Sequence, residues 1–137
     1  MGSTKAIKSI MKLSVEDDVK YTHFSDNWVH KIPCPKFMVL VEKASKSIVL
    51  VIRGTYSPAD VLRDMKCDEK EFLNGFAHRG ILNGAEKIMK QIKGELNEAL
   101  KQHSGYKLVI TGHSLGAGTA ILITMGLLEN IYGINVN

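Results

Sequence analysis

The residues best suited to do chemistry are Gly112-His113-Ser114-Leu115-Gly116, a serine with a glycine two positions to either side. This G-x-S-x-G pattern marks a nucleophile elbow, a sharp strand-to-helix turn that lifts a serine hydroxyl clear of its neighbours. The chemistry would be acyl transfer. The hydroxyl attacks a carbonyl carbon, and N–H groups at the start of the helix stabilise the oxyanion that forms. The pentapeptide alone is a weak signal, because Gly and Ser are common residues. Its surroundings strengthen it. Tyr106-Lys107-Leu108-Val109-Ile110 reads as a strand leading in. The run from Leu115 to Ile123 is small and apolar on all sides, as in a helix buried in the middle of a domain, and it fades at Glu129-Asn130.

An elbow needs a second oxyanion donor from a loop after an earlier strand. Arg53-Gly54-Thr55 is placed to give it, where a glycine permits close backbone approach and Thr55 offers an N–H and a hydroxyl. The strand before it, Ser47–Ile52, is near-continuously apolar, as a strand covered on both faces would be. Phe37–Val41 is a second strand, and the polar stretch Glu42–Lys46 joins the two as a hairpin. Ser57-Pro58-Ala59-Asp60 signals a helix start, with Ser57 as cap, Pro58 at the first helical position and Asp60 as capping acid, for a short helix to about Lys66. Residues 67–80 read as a polar, glycine-punctuated loop.

From Ile81 to Gln102, apolar residues at Ile81, Ala85, Ile88, Met89, Ile92, Leu96, Ala99 and Leu100 fall on one helical stripe among Lys and Glu. That is a helix packed on a sheet, closed by Ser104-Gly105. Its position between two strands suits a parallel pair with a right-handed crossover. Tyr132–Asn137 reads as a turn and the start of another strand. Residues 1–36 read as an irregular entry segment, and residues 37–137 as one α/β unit with a mixed, mostly parallel sheet.

The 137 residues are 45% apolar and 23% charged, ordinary globular usage that argues against disorder. The charge of +4 is spread along the chain with no arginine–aromatic stripe, which gives nucleic-acid binding little support. It leaves a solvated basic surface favoured over weak contact with anionic lipid headgroups. Cys34 and Cys67 lack metal-ligand spacing, and two free thiols in a reducing compartment are favoured over a disulfide. No cofactor or metal is expected. Met1–Val15 lacks the apolar run of a signal peptide, and Ala6 breaks the myristoylation pattern. The longest clearly apolar runs fall far short of the ~20 residues that span a bilayer. A cytoplasmic or membrane-peripheral location is the expectation.

Several separated motifs agree in order. Val49-Leu50-Val51-Ile52-Arg53-Gly54-Thr55 is followed by Asp64, then His78-Arg79-Gly80, then Thr111-Gly112-His113-Ser114-Leu115-Gly116-Ala117-Gly118. Together they resemble the class 3 (fungal-type) lipase family over roughly residues 37–131. Ser57–Asp60 and Leu115–Ala120 look more like its diacylglycerol lipase branch. The resemblance implies a partial α/β-hydrolase fold and hydrolysis of acylglycerol esters. It implies Ser114 as nucleophile, the N–H groups of Leu115 and Thr55 as oxyanion hole, and Asp64 as the acid that orients the Thr55 hydroxyl. It gives His78 a structural place. His113 is expected to point away from Ser114 and to pack or hydrogen-bond.

A serine hydroxyl needs a base, and the base an orienting acid. In α/β-hydrolases both follow the serine, yet the residues after Ser114 hold no Asp and no His. Their one acid, Glu129, lies about 15 residues along the same helix, roughly 22 Å away. His23, His30 and His103 are poorly placed to substitute. The chain is therefore expected to be the N-terminal part of a hydrolase domain, truncated after the nucleophile helix, catalytically incomplete and prone to self-association. The alternatives are a non-catalytic lipid-binding or scaffolding remnant of a lipase domain, and another ester or thioester hydrolase on the same scaffold.

Overall fold

The computed structural model describes residues 35–54 and 68–136, together with residues 18–23 as a strand and its pairing. The helix expected over 57–66, Thr55, Asp64, both cysteines and His30 lie outside the described residues.

Two sheets are present among them. The larger has the order β1 (Asp18–His23), β2 (Phe37–Glu42), β3 (Ser47–Ile52), β6 (Lys107–Gly112). β1 and β3 flank β2 antiparallel, and β3 and β6 run parallel with Ile52 opposite Gly112. The sheet is mixed, but where a mostly parallel sheet is expected, two of its three pairs among the described residues are antiparallel, because β2 joins β3 by a hairpin and β1 adds to the outer edge of β2; the one parallel pair carries the elbow. The β2–β3 hairpin closes over Lys43–Lys46, where Lys46 takes φ 50 and its N–H donates to the Lys43 carbonyl at 3.2 Å. Ser45 donates its hydroxyl to the Glu42 carboxylate.

A helix of 24 residues, α1 (Arg79–Gln102), links β3 to β6 across one face of the sheet. The expected stripe is the buried one: Ala85, Ile88, Ile92 and Leu96 are fully buried and Met89 nearly so. They meet Val39, Val41, Ile48, Leu50 and Ile52 in one core cluster. Burying each large aliphatic side chain is worth roughly 1.5–3 kcal/mol, so this contact fixes where both ends of α1 lie. The second helix, α2 (Leu115–Leu128), adds Ala120, Ile123 and Leu127 to the same cluster.

α2 ends in a Schellman motif. Asn130 takes φ 53, its N–H donates to the Leu127 carbonyl at 3.0 Å, and the Ile131 N–H donates to the Gly126 carbonyl at 2.8 Å. Just beyond, the Tyr132 ring lies over Gly126. Burial, and then the nearby Glu86 carboxylate, raise the Tyr132 phenol above its ordinary pKa.

Three segments differ from the sequence reading. Residues 67–80 hold a hairpin, β4 (Glu69–Phe72) and β5 (Gly75–His78), where a loop is expected. It is tied to α1 by ion pairs, Lys70–Glu86 at 2.9 Å and Arg79–Asp68 at 2.7 Å. Within the entry segment expected to be irregular, Asp18–His23 pairs with β2, its register shifted between Asp18 and Tyr21. The end of the chain forms no strand through residue 136; Ile134 instead turns into the core with 1% of its surface exposed.

Candidate active site

Two residues, His113 and Ser114, separate the end of β6 from the start of α2. So short a turn forces the backbone into a sparsely populated region: Ser114 has φ 55 and ψ −121. For a residue with a Cβ this costs on the order of 1–3 kcal/mol, and it persists only where the surroundings over-determine it. Here the surroundings are backbone. A Cβ on Gly112 would overlap the Gly116 carbonyl, and one on Gly116 would overlap the Ile52 carbonyl and meet the Gly54 nitrogen at 3.1 Å. The first turn of α2 thus sits directly on the end of β3.

This packing decides what Ser114 can do. Its side chain is exposed and makes no cap hydrogen bond. Its carbonyl is occupied, accepting N–H groups from Ala117 at 2.9 Å and Gly118 at 3.3 Å. The Gly116 N–H donates to the His113 carbonyl at 2.9 Å. The N–H of Leu115 opens the helix and has no carbonyl four residues back within it. An exposed serine beside a helix-start N–H that has no acceptor within the helix suits nucleophilic acyl transfer.

The loop that leaves β3 arrives at the same place. A Cβ on Gly54 would overlap the His113 carbonyl and lie 3.4 Å from the Ser114 Cβ. Gly54 therefore runs directly against the turn that holds Ser114, and the Arg53 N–H is anchored to the Lys36 carbonyl at 2.8 Å. Thr55 and Asp64 are the two expected site residues that the structure does not describe. The His113 side chain is exposed; the part of His113 that packs is its carbonyl. His103 closes the far end of α1, its backbone N–H donating to the Ala99 carbonyl and its ring tilted against Tyr106 with centroids 5.0 Å apart. That end is roughly 36 Å along the helix from Arg79.

One role was not expected in detail. His78 is the N-cap of α1, and its Nδ1 accepts the Ile81 N–H at 3.4 Å. His is not a favoured capping type, so propensity gives no warning of it. Among the described residues no three His, Cys, Asp or Glu converge as a metal site would need. No helix among them is long and apolar enough to cross a membrane.

The sequence profile of the family described as "Lipase (class 3)" matches residues 49–133, the stretch that runs from β3 through α2. The chain belongs to the class 3 lipase family. Among its relatives, human diacylglycerol lipase-alpha is 36% identical over 120 residues, covering 78% of this chain and 11% of that protein. A lipase of Rhizopus niveus is 34% identical over 94 residues, 66% of this chain and 24% of that protein. The nonglycosylated LIP2 lipase of Yarrowia lipolytica superposes with a TM-score of 0.73 at 26% identity, covering 89% of this chain and 45% of that one. The chain thus spans less than half the length of each of these lipases. Its architecture is part of an α/β-hydrolase-like fold, with the fungal lipases as structural neighbours.

Proposed function

We propose that this chain carries the nucleophile and oxyanion hole of a lipase-type serine hydrolase acting on acylglycerol esters. Ser114 Oγ attacks the ester carbonyl carbon. Its proton passes to a base, the glyceryl alcohol leaves, and water hydrolyses the acyl-serine. The Leu115 N–H and the Thr55 N–H receive the oxyanion, and Asp64 orients the Thr55 hydroxyl. The carrying observation is Ser114 itself: exposed, at φ 55, with Gly54 of the donor loop packed against it. The acylglycerol substrate rests on kinship with diacylglycerol lipases.

No Asp or His follows Ser114 in these residues, and we assign no base within them. Without its base histidine a serine hydrolase loses on the order of 10⁶ in turnover and keeps about 10³–10⁴ over water from binding and the oxyanion hole. The reading therefore includes low activity for this chain alone. Exposed Phe76, Ile121 and Leu128, at 70, 60 and 69%, support a tendency to self-associate or to touch a lipid surface.

The test is fluorophosphonate labelling of the 137-residue chain, read by peptide mass spectrometry. Slow labelling is expected at Ser114 in preference to Ser104, which is also exposed, and it should vanish in Ser114→Ala. Equal labelling of the two serines would make Ser114 an ordinary surface residue and overturn the assignment.

A further inference from the structure

We propose that His78 is a positioning residue for the nucleophile elbow, acting through the cap of α1 rather than by touching substrate. The path is short and consists of contacts already described. His78 Nδ1 accepts the Ile81 N–H and fixes the first turn of α1. Ile81 is the residue that α2 leans on: a Cβ at Gly118 would lie 3.3 Å from Ile81 Cδ1 and 3.6 Å from its Cγ2. Gly118 in turn donates its N–H to the Ser114 carbonyl at 3.3 Å. The cap, the Ile81 side chain and the first turn of α2 therefore form one chain of contacts ending on the peptide of the nucleophile.

Two further observations fit this role. Because Nδ1 accepts, a neutral imidazole carries its proton on Nε2, and Nε2 is buried without a hydrogen-bond partner among the described residues. A buried donor left unpaired is unfavourable, so the ring is not explained by its own hydrogen-bonding balance. Gly80 makes room for it: a Cβ there would stand 3.2 Å from His78 Cε1. His78-Arg79-Gly80 thus reads as a unit, with a capping ring, a glycine that admits it, and Arg79 between them pairing with Asp68 at 2.7 Å and donating Nη2 to the Glu69 carbonyl at 2.8 Å. The hairpin is pinned by Arg79, and the elbow is braced by His78 through Ile81.

The inference takes Ser114 as the nucleophile from the reading above, but its test does not depend on that chemistry. Hydrogen–deuterium exchange is measured on the whole chain for wild type, His78→Ala, His78→Asn and Ile81→Val. The amides of Gly116, Ala117 and Gly118 report the elbow, since each donates within it. In His78→Ala they should exchange about fivefold faster, in line with the loss of a helix cap, while residues 92–99 in the middle of α1 stay protected. Asn supplies a capping acceptor, so His78→Asn should restore the wild-type rate at the elbow. Ile81→Val trims Cδ1 and leaves the cap intact; it should loosen the same three amides even if His78→Ala does not fold. The proposal is overturned if faster exchange is confined to residues 79–84, if Asn behaves like Ala, or if Ile81→Val leaves the elbow unchanged. Indifferent fluorophosphonate labelling would remove the chemical reading and leave this exchange result standing.

Discussion

The two helices that flank the core are built on opposite logic. α1 is held by the side chains it has. Its buried stripe meets the sheet, its polar side faces water, and a glycine in its exposed face, Gly94, has nothing within 4 Å of where a Cβ would stand. α2 is held largely by the side chains it lacks. Gly116 admits the end of β3, Gly118 admits Ile81, and Gly126 admits the Tyr132 ring. An amphipathic helix can shift by a fraction of an ångström and keep most of its burial. A helix seated backbone to backbone cannot, so the start of α2, where Ser114 stands, is held in place. The expectation that α2 is enclosed on every side is met on one side only: Ile123 is fully buried, while Ile121 and Met125 are 60 and 41% exposed.

If the contrast is right, the largest effect comes from the smallest addition. Gly116→Ala puts a methyl group into the Ile52 carbonyl and against the Arg53 carbonyl carbon and the Gly54 nitrogen. None of these is a side chain that can swing away. Overpacking typically costs 1–3 kcal/mol, and against backbone on several sides the loss should reach about 3 kcal/mol or more, read as a collapse of the urea midpoint. A midpoint within error of wild type would mean that α2 can slide on β3, and the contrast would be lost. Ile92→Ala tests the other helix. It removes a fully buried side chain from the stripe and should cost about 3 kcal/mol. Exchange at the elbow amides should keep its order relative to the rest of the chain, because the lost volume is in the middle of α1.

The same contrast explains what the sequence made legible. A 3.6-residue stripe is a repeated signal, so α1 could be read to within two residues of its start and ended correctly at Gln102. The elbow was legible because the close contacts leave small residues in a fixed order, Gly112, Gly116 and Gly118. The β4–β5 hairpin was not. β4 is charged and β5 is short with a glycine and a histidine, ion pairs tie the hairpin to the helix that follows, and its turn places Leu73 at φ 54 instead of the glycine or asparagine that usually marks such a position. β1 escaped for another reason: its alternation offers only two apolar positions, Val19 and Tyr21, too short a pattern to stand out as a strand signal. The β-prone neighbours of Ile134 suggest the start of a strand, but its burial in the core outweighs that local preference.

The smallest effect has the opposite sign and tests the contrast from its other side. Gly94 is an exposed residue in the middle of α1, and a Cβ there would enter open space. Glycine in a helix interior is about 0.5–1 kcal/mol less favourable than alanine, because the unfolded chain loses more freedom on ordering. Gly94→Ala should therefore stabilise the chain by roughly that amount and raise Tm by about 3 °C. The gain arises mainly in the unfolded state and involves no new contact, so exchange at the elbow amides should slow only in proportion to global stability. Two Gly→Ala changes in one small protein would then move the unfolding midpoint in opposite directions. The sign in each case is set by whether the missing Cβ faces water or a neighbouring backbone.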